Sequence, residues 1–107
     1  MVTPTLPERT GMLAEAIQSA VAQTVQPYAH LISVDYFHSG PSYHLNALIA
    51  AAQTPWIAIL PDDDLWDKDH LEKLLSRRRD RDIVYSWGRV IGKHDGGGYR
   101  GPFRPKD

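Results

Sequence analysis

A chain of 107 residues with 42% hydrophobic content, a formal net charge of −1 and no cysteine has the composition of one globular domain. The missing cysteines exclude disulfides and thiolate metal sites, and the near-balanced charge excludes the basic excess of a broad nucleic-acid footprint. No apolar run approaches the roughly 20 residues of a membrane span, and residues 1–7 lack the basic-then-apolar order of a signal peptide, so a cytoplasmic setting is expected.

In chain order, residues 1–5 read as a short strand ended by the Pro4-Thr5-Leu6-Pro7 turn, with Thr10 placed to cap a helix. Met12, Leu13, Ala16, Ile17, Ala20 and Val21 fall at helical spacing, so that helix is predicted to run to Gln23 or Thr24 and stop before Pro27. Leu31, Ile32 and Val34, followed by Asp35, predict a second strand; Gly40 and Pro41 then mark a loop. A second helix is predicted over residues 42–53, burying Leu45, Leu48, Ile49 and Ala52.

Residues 56–60 (Trp-Ile-Ala-Ile-Leu) form an apolar run that ends in Pro61 and three consecutive carboxylates, Asp62, Asp63 and Asp64. A short apolar run closed by a turn signal reads as an internal strand of an α/β sheet, and ligands of such sheets bind at the carboxyl ends of the strands. Adjacent acids repel, so their clustering calls for full solvation or a cation; Mg²⁺ and Mn²⁺ accept carboxylate oxygen readily. The competing reading is an acidic turn that caps the next helix. A calcium loop of the EF-hand kind is excluded. Counted from Asp62, its glycine position holds Asp67 and its final glutamate position holds Lys73.

A third helix is predicted over residues 68–78, with Leu71, Leu74 and Leu75 as its stripe and Asp67 as its cap; residues 83–87 then form another strand, continued by Val90 and Ile91. The cluster Arg77, Arg78, Arg79 and Arg81 is interleaved with Asp80 and Asp82 and sits where a helix dipole favours cations, so it reads as a helix end and not as a nucleic-acid contact. From residue 93 the chain becomes a Gly/Pro-rich basic tail, residues 93–107, that is expected to be mobile. Alternating strands and helices over residues 1–92 imply βαβ units and a mostly parallel sheet.

The order of these motifs resembles the nucleotide-binding half of a family 2 glycosyltransferase of GT-A fold. Thr3-Pro4-Thr5 with Arg9 is similar to that family's first strand and turn, and residues 13–24 to its first helix. Residues 31–35 resemble the second strand ending in an acid. Asn46, residues 49–52 and residues 56–60 resemble the approach to the D-x-D region, and residues 62–66, Asp69, Leu71 and residues 82–86 continue the order. The resemblance implies a three-layer α/β sandwich with a small mostly parallel sheet, a truncated GT-A (nucleotide-diphospho-sugar transferase) fold. It also implies that Thr3, Pro4 and Thr5 flank the base, with Arg9 in the same turn and Asp35 nearby. Asp62 would face the ribose, and Asp63, with Asp64 next, would ligate Mn²⁺ or Mg²⁺. A UDP-sugar stands first among the implied donors; the acceptor is unspecified. The departures are Asp35-Tyr36 where two acids are frequent, Pro61 in place of the first acid of D-x-D, and Leu45 in place of an Arg before Asn46. The first strand is short, and the connection between Asp35 and Asn46 is compressed and lacks a strand.

Members of that family continue into a half that supplies the acceptor pocket and the catalytic base, whereas about twenty residues follow Trp87 here. His94 and Asp95 are the candidates for proton transfer, and Arg100, Arg104 and Lys106 for closing over a diphosphate. Trp56, Trp66 and Trp87 read as core or pocket-wall aromatics, and His30, His38, His44 and His70 have no metal-site spacing. So thin a sheet leaves an edge or apolar face that a homo-oligomer would cover. Three functions follow: an inverting, metal-dependent glycosyltransferase; a non-catalytic nucleotide-sugar or metal-binding module derived from one; or a structural domain in which Asp62, Asp63 and Asp64 only cap a helix.

Overall fold

The computed structural model describes residues 1–86, 88–90 and 98–100. The chain divides into two compact units, Met1–Glu72 and Lys73–Asp107.

The first unit is α/β. Strand β1 (Val2–Thr5) pairs in parallel with β2 (Leu31–Val34), with Val2 opposite Leu31 and Thr5 opposite Val34. On its other side β1 meets residues 58–60 through a single parallel bridge between Val2 and Ile59, fixed by bonds from the Val2 amide to the Ala58 carbonyl (2.8 Å) and from the Leu60 amide to the Val2 carbonyl (3.0 Å). The spatial order β2, β1, residues 58–60 brings Thr5, Asp35 and Asp62 to the same carboxyl ends of the strands. Residues 56–60 are nevertheless not the buried internal strand expected. The segment has a neighbour on one side only among the described residues, and Trp56 and Ile59 are exposed while Leu60 is fully buried. The expected three-layer sandwich goes further than this small parallel sheet does.

Helix α1 (Thr10–Val21) follows a 3₁₀ turn at Pro7–Arg9. Pro7 stands in the first turn, where its fixed φ suits entry and its missing N–H costs nothing. The helical winding therefore starts before Thr10, which lies inside α1 instead of capping it; Arg9 holds the N-cap position without a side-chain bond. Ala16 and Ala20 form the buried stripe and pack with Met1, Leu60 and Leu71 into a core that Ala58 and Trp66 partly cover. Met12 and Val21, at the margin of the predicted stripe, are exposed.

Helix α2 (Pro41–Ala51) packs on β1 and β2; it starts one residue before the predicted 42, so Pro41 belongs to the helix and not to the expected loop, and it ends two residues before the predicted 53. Gly40 adopts φ 100°, a conformation open to glycine, and Pro41 takes the first turn. Leu48 is its buried contact, and Ile49, expected inside, is exposed. Helix α3 (His70–Ser76) is shorter than the predicted 68–78 and straddles the boundary between the units. Asp67 accepts the His70 amide through its backbone carbonyl (3.0 Å).

In the second unit the Arg78 guanidinium donates to the Leu75 carbonyl (3.2 Å), the helix-end role read for the Arg cluster. Arg79 has φ 36°, outside the helical region. Residues 83–86 form no strand, and Ile83 and Tyr85 are exposed. Their apolar alternation meets no ladder partner among the described residues, and alternation makes a strand only where a neighbour takes up the hydrogen bonds. Strand β3 (Gly88–Val90) pairs antiparallel with β4 (Gly98–Arg100), so part of the expected mobile tail is ladder. Trp87, Ile91, His94, Asp95, Arg104 and Lys106 lie outside the described residues.

Candidate functional site

The strand ends of the first unit open on a cleft of about 390 Å³, within the roughly 300–1,000 Å³ typical of small-ligand sites. It is lined by Pro4, Thr5, Leu6 and Arg9 after β1, by Asp35, Pro41, His44 and Leu45 around the β2–α2 connection, and by Ile59, Pro61, Asp62 and Asp63 after the bridge. Five of the six residues expected at a nucleotide-sugar site (Pro4, Thr5, Arg9, Asp35 and Asp62) thus meet in one cleft, and so does Asp63. Thr3 is buried with its hydroxyl 2.7 Å from His30 Nε2, and neither it nor Asp64 lines the cleft.

Asp62 owes its position to local chain geometry. A turn closed by the Asp64 amide on the Pro61 carbonyl (3.2 Å) puts Asp62 and Asp63 at its two central positions. Asp62 is turned inward, 4% exposed, with Oδ2 accepting from Thr5 Oγ1 (2.7 Å) and Oδ1 paired with the Arg9 guanidinium (3.1 Å). Asp63 is exposed and faces the cleft. Asp64 has its carboxyl raised above the ordinary value by burial and by the charges of Asp63 and Asp62.

Asp35 is fixed as firmly. Its Oδ1 accepts the Ser39 amide (2.8 Å) and its Oδ2 the Gly40 amide (2.9 Å), which draws residues 36–40 around the carboxylate and sets the start of α2. His44, in the first turns of α2, brings Nε2 within 3.1 Å of Asp35 Oδ1 while its Nδ1 lies 2.5 Å from Ser33 Oγ. Burial alone would raise the Asp35 carboxyl; the Gly40 and Ser39 amides and then the His44 ring outweigh it and hold the group below the ordinary carboxylate value.

His44 is the site residue that motif reading missed. A search for ligand spacing passes over a single histidine, whereas two facts of pattern point to it. Ser33 lies on β2 and Asp35 two residues on, just past the strand end with its amide still bonded to the Thr5 carbonyl, so the two face the same way, and His44 lies in the first turns of the helix that follows. Leu45, where an Arg is frequent in the resembled family, gives the cleft an apolar wall.

The sequence model of Glycosyl transferase family 2 matches residues 30–105. The chain belongs to this family. The match covers β2, α2, the acid turn and α3, while β1, Arg9 and α1 precede it; the hydrogen bonds of Thr5 and Arg9 to Asp62 tie that preceding segment to the matched one. No curated protein and no solved structure matches the chain. The α/β first unit is compatible with a truncated GT-A fold, and the family as a whole uses nucleotide-sugar donors. No helix among the described residues is long and apolar enough to cross a membrane.

A divalent ion, expected at Asp63 and Asp64, meets a sparse donor set. Among the described residues no three His, Asp or Glu side chains converge on one point. Asp62 is turned inward with one partner on each oxygen, whereas Asp63 is exposed, so Asp63 is the carboxylate that the cleft offers most openly. That suits Mg²⁺ or Mn²⁺ in one respect: hard ions bound with substrate phosphates commonly take only one or two protein carboxylates and complete their shell with phosphate oxygen and water.

Proposed function

We propose that this chain binds a nucleoside diphosphate sugar in the cleft at the strand ends, with Asp63 ligating Mn²⁺ or Mg²⁺, and serves an inverting glycosyl transfer. The observation that carries the reading is the meeting of Asp35, Asp62, Asp63 and Arg9, from three chain segments, around one cleft of ligand size. Thr5 and Arg9 hold Asp62 as an acceptor-only group beside the ribose. Asp35 receives the base. Arg9, 42% exposed at its side chain, keeps guanidinium N–H groups beyond its Asp62 bond for a diphosphate oxygen. A bound divalent ion would supply Lewis-acid stabilisation of the leaving diphosphate. In the transfer an acceptor hydroxyl attacks the anomeric carbon from the face opposite the diphosphate, the anomeric C–O bond breaks towards the diphosphate, and the hydroxyl proton passes to a base. His94 and Asp95 are the candidates for that base.

One feature favours a non-catalytic donor-binding module instead. Asp35 and Asp62 are buried and held by internal partners, which suits them to accept hydrogen bonds from a donor and not to take an acceptor's proton; Asp63 is the exposed acid of the cleft among the described residues, and it is the expected metal ligand. Calorimetric titration of UDP-sugars with and without Mn²⁺, on the wild type and Asp63→Ala, tests the donor site. Mn²⁺-dependent binding that weakens about tenfold or more in the variant is expected, and absence of binding to the folded protein would overturn the site. Release of UDP in the presence of candidate acceptors separates enzyme from module.

A further inference from the structure

We propose that His44 determines nucleobase specificity in the cleft: it saturates one oxygen of Asp35, leaving a single acceptor that suits the one N–H of a uracil edge and rejects guanine's adjacent pair. The inference rests on the donor-site reading above and deepens it.

The argument is a count of lone pairs. An ionised carboxylate is acceptor-only and has about four acceptor directions, two per oxygen. Asp35 Oδ1 takes the Ser39 amide at 2.8 Å and is faced by His44 Nε2 at 3.1 Å, so both of its directions are occupied. Oδ2 takes the Gly40 amide at 2.9 Å, so one direction remains. Guanine presents N1–H and N2–H side by side, and a carboxylate meets that pair with one free direction on each oxygen. With Oδ1 closed, the second N–H loses its partner on entering the cleft. Uracil presents a single N3–H and loses nothing.

His44 is well suited to keep Oδ1 closed. Because its neighbour only accepts, Nε2 carries a proton, and Ser33 Oγ at 2.5 Å serves Nδ1 in either charge state, donating to a neutral ring or accepting from a charged one. The Tyr43 ring meets the imidazole edge-on, with centroids 5.3 Å apart. The Asp35 side chain, 6% exposed, is fixed in orientation by the Ser39 and Gly40 amides, one on each oxygen. His44 thus acts through Asp35, as a positioning residue.

The test titrates UDP and GDP, with Mn²⁺ present, into the 107-residue wild type, His44→Ala and His44→Gln, with melting temperatures recorded for all three. Wild type is expected to prefer UDP by about tenfold or more. His44→Ala should shrink that ratio towards unity, chiefly through tighter GDP binding, because Oδ1 is freed; His44→Gln, whose amide can still donate to Asp35, should retain the ratio. A merely structural role would weaken both nucleotides together. Equal wild-type affinity for the two, or a ratio indifferent to His44→Ala, overturns the inference alone. Failure of the folded wild type to bind either nucleotide overturns the donor site and this inference with it.

Discussion

Asp62 shows what single residues contribute. Its carboxylate is withdrawn from water, and the two bonds that compensate for that differ in kind: the Thr5 hydroxyl is buried with it, while the Arg9 guanidinium is partly in solvent. Removing the buried partner leaves an unsatisfied acceptor, which costs about 1–3 kcal/mol; removing a solvent-screened cation costs about 0–1 kcal/mol. Thr5→Val is therefore expected to lower unfolding free energy by about 1–3 kcal/mol, and Arg9→Ala by less, in urea denaturation. The reverse order would show that Arg9 holds the turn. The acid cluster itself was legible in the sequence because a strand, a proline and consecutive acids are contiguous. The bonds to Thr5 and Arg9 were not, because they join residues more than fifty positions apart. Asp35 was legible as a strand-end acid, but the loop amides and His44 that complete its shell depend on how residues 36–40 fold back.

Among the elements, the junction of α1 with the segment leading into α3 depends on one side chain. Gln23 is buried just past the end of α1; its amide nitrogen donates to the Ser19 carbonyl (3.0 Å) and the Asp67 carbonyl (2.7 Å), and its oxygen accepts the Leu71 amide (3.0 Å). The Leu71 amide lies in the first turn of α3, where no helical carbonyl can serve it, so Gln23 does for this short helix what a cap does for a long one. Gln23→Met keeps the volume and strips the polar partners. It is expected to lower stability by about 1–3 kcal/mol and to speed hydrogen exchange at the Leu71 amide more than at amides of α1. Uniform acceleration would mean that the side chain only fills space. Elements with strong periodicity or punctuation, β1, α1, β2 and α2, were readable to within a few residues. Residues 56–60 and 83–86 have strand composition but find at most one bridge between them among the described residues, since ladder partners lie elsewhere in the chain. Strand β4 (Gly-Tyr-Arg) follows a run of glycines and has a single aromatic, too little for a strand pattern, and is defined by its pairing with β3.

For the molecule as a whole, the response to acid follows from groups that the folded protein holds in their deprotonated form, the histidines by burial and Asp35 by its hydrogen bonds. His30 is pushed below the ordinary imidazole value by burial and then by the charged amino terminus. His70, stacked on Trp66 with ring centroids 4.6 Å apart, is pushed down by burial more than Asp67 and Asp69 raise it. A histidine whose folded value lies below its unfolded one binds its proton more readily in the unfolded chain. Its contribution is complete above about pH 6.5 and is lost as pH falls from there through the folded value. Asp35, also depressed, behaves with the same sign in a lower window: its contribution is complete above about pH 3.9 and disappears as pH falls through its folded value. Acid should therefore weaken the protein in two steps. Urea midpoints measured from about pH 7.5 to about pH 5 are expected to fall as pH is lowered, and the slope should flatten in His30→Gln and flatten further when His70→Gln is added. Asp35→Asn should leave that slope alone and blunt only the loss below about pH 4. A wild-type midpoint that stays level or rises between about pH 7 and about pH 5 would mean that the two imidazoles are protonated in the folded protein as readily as in the unfolded chain.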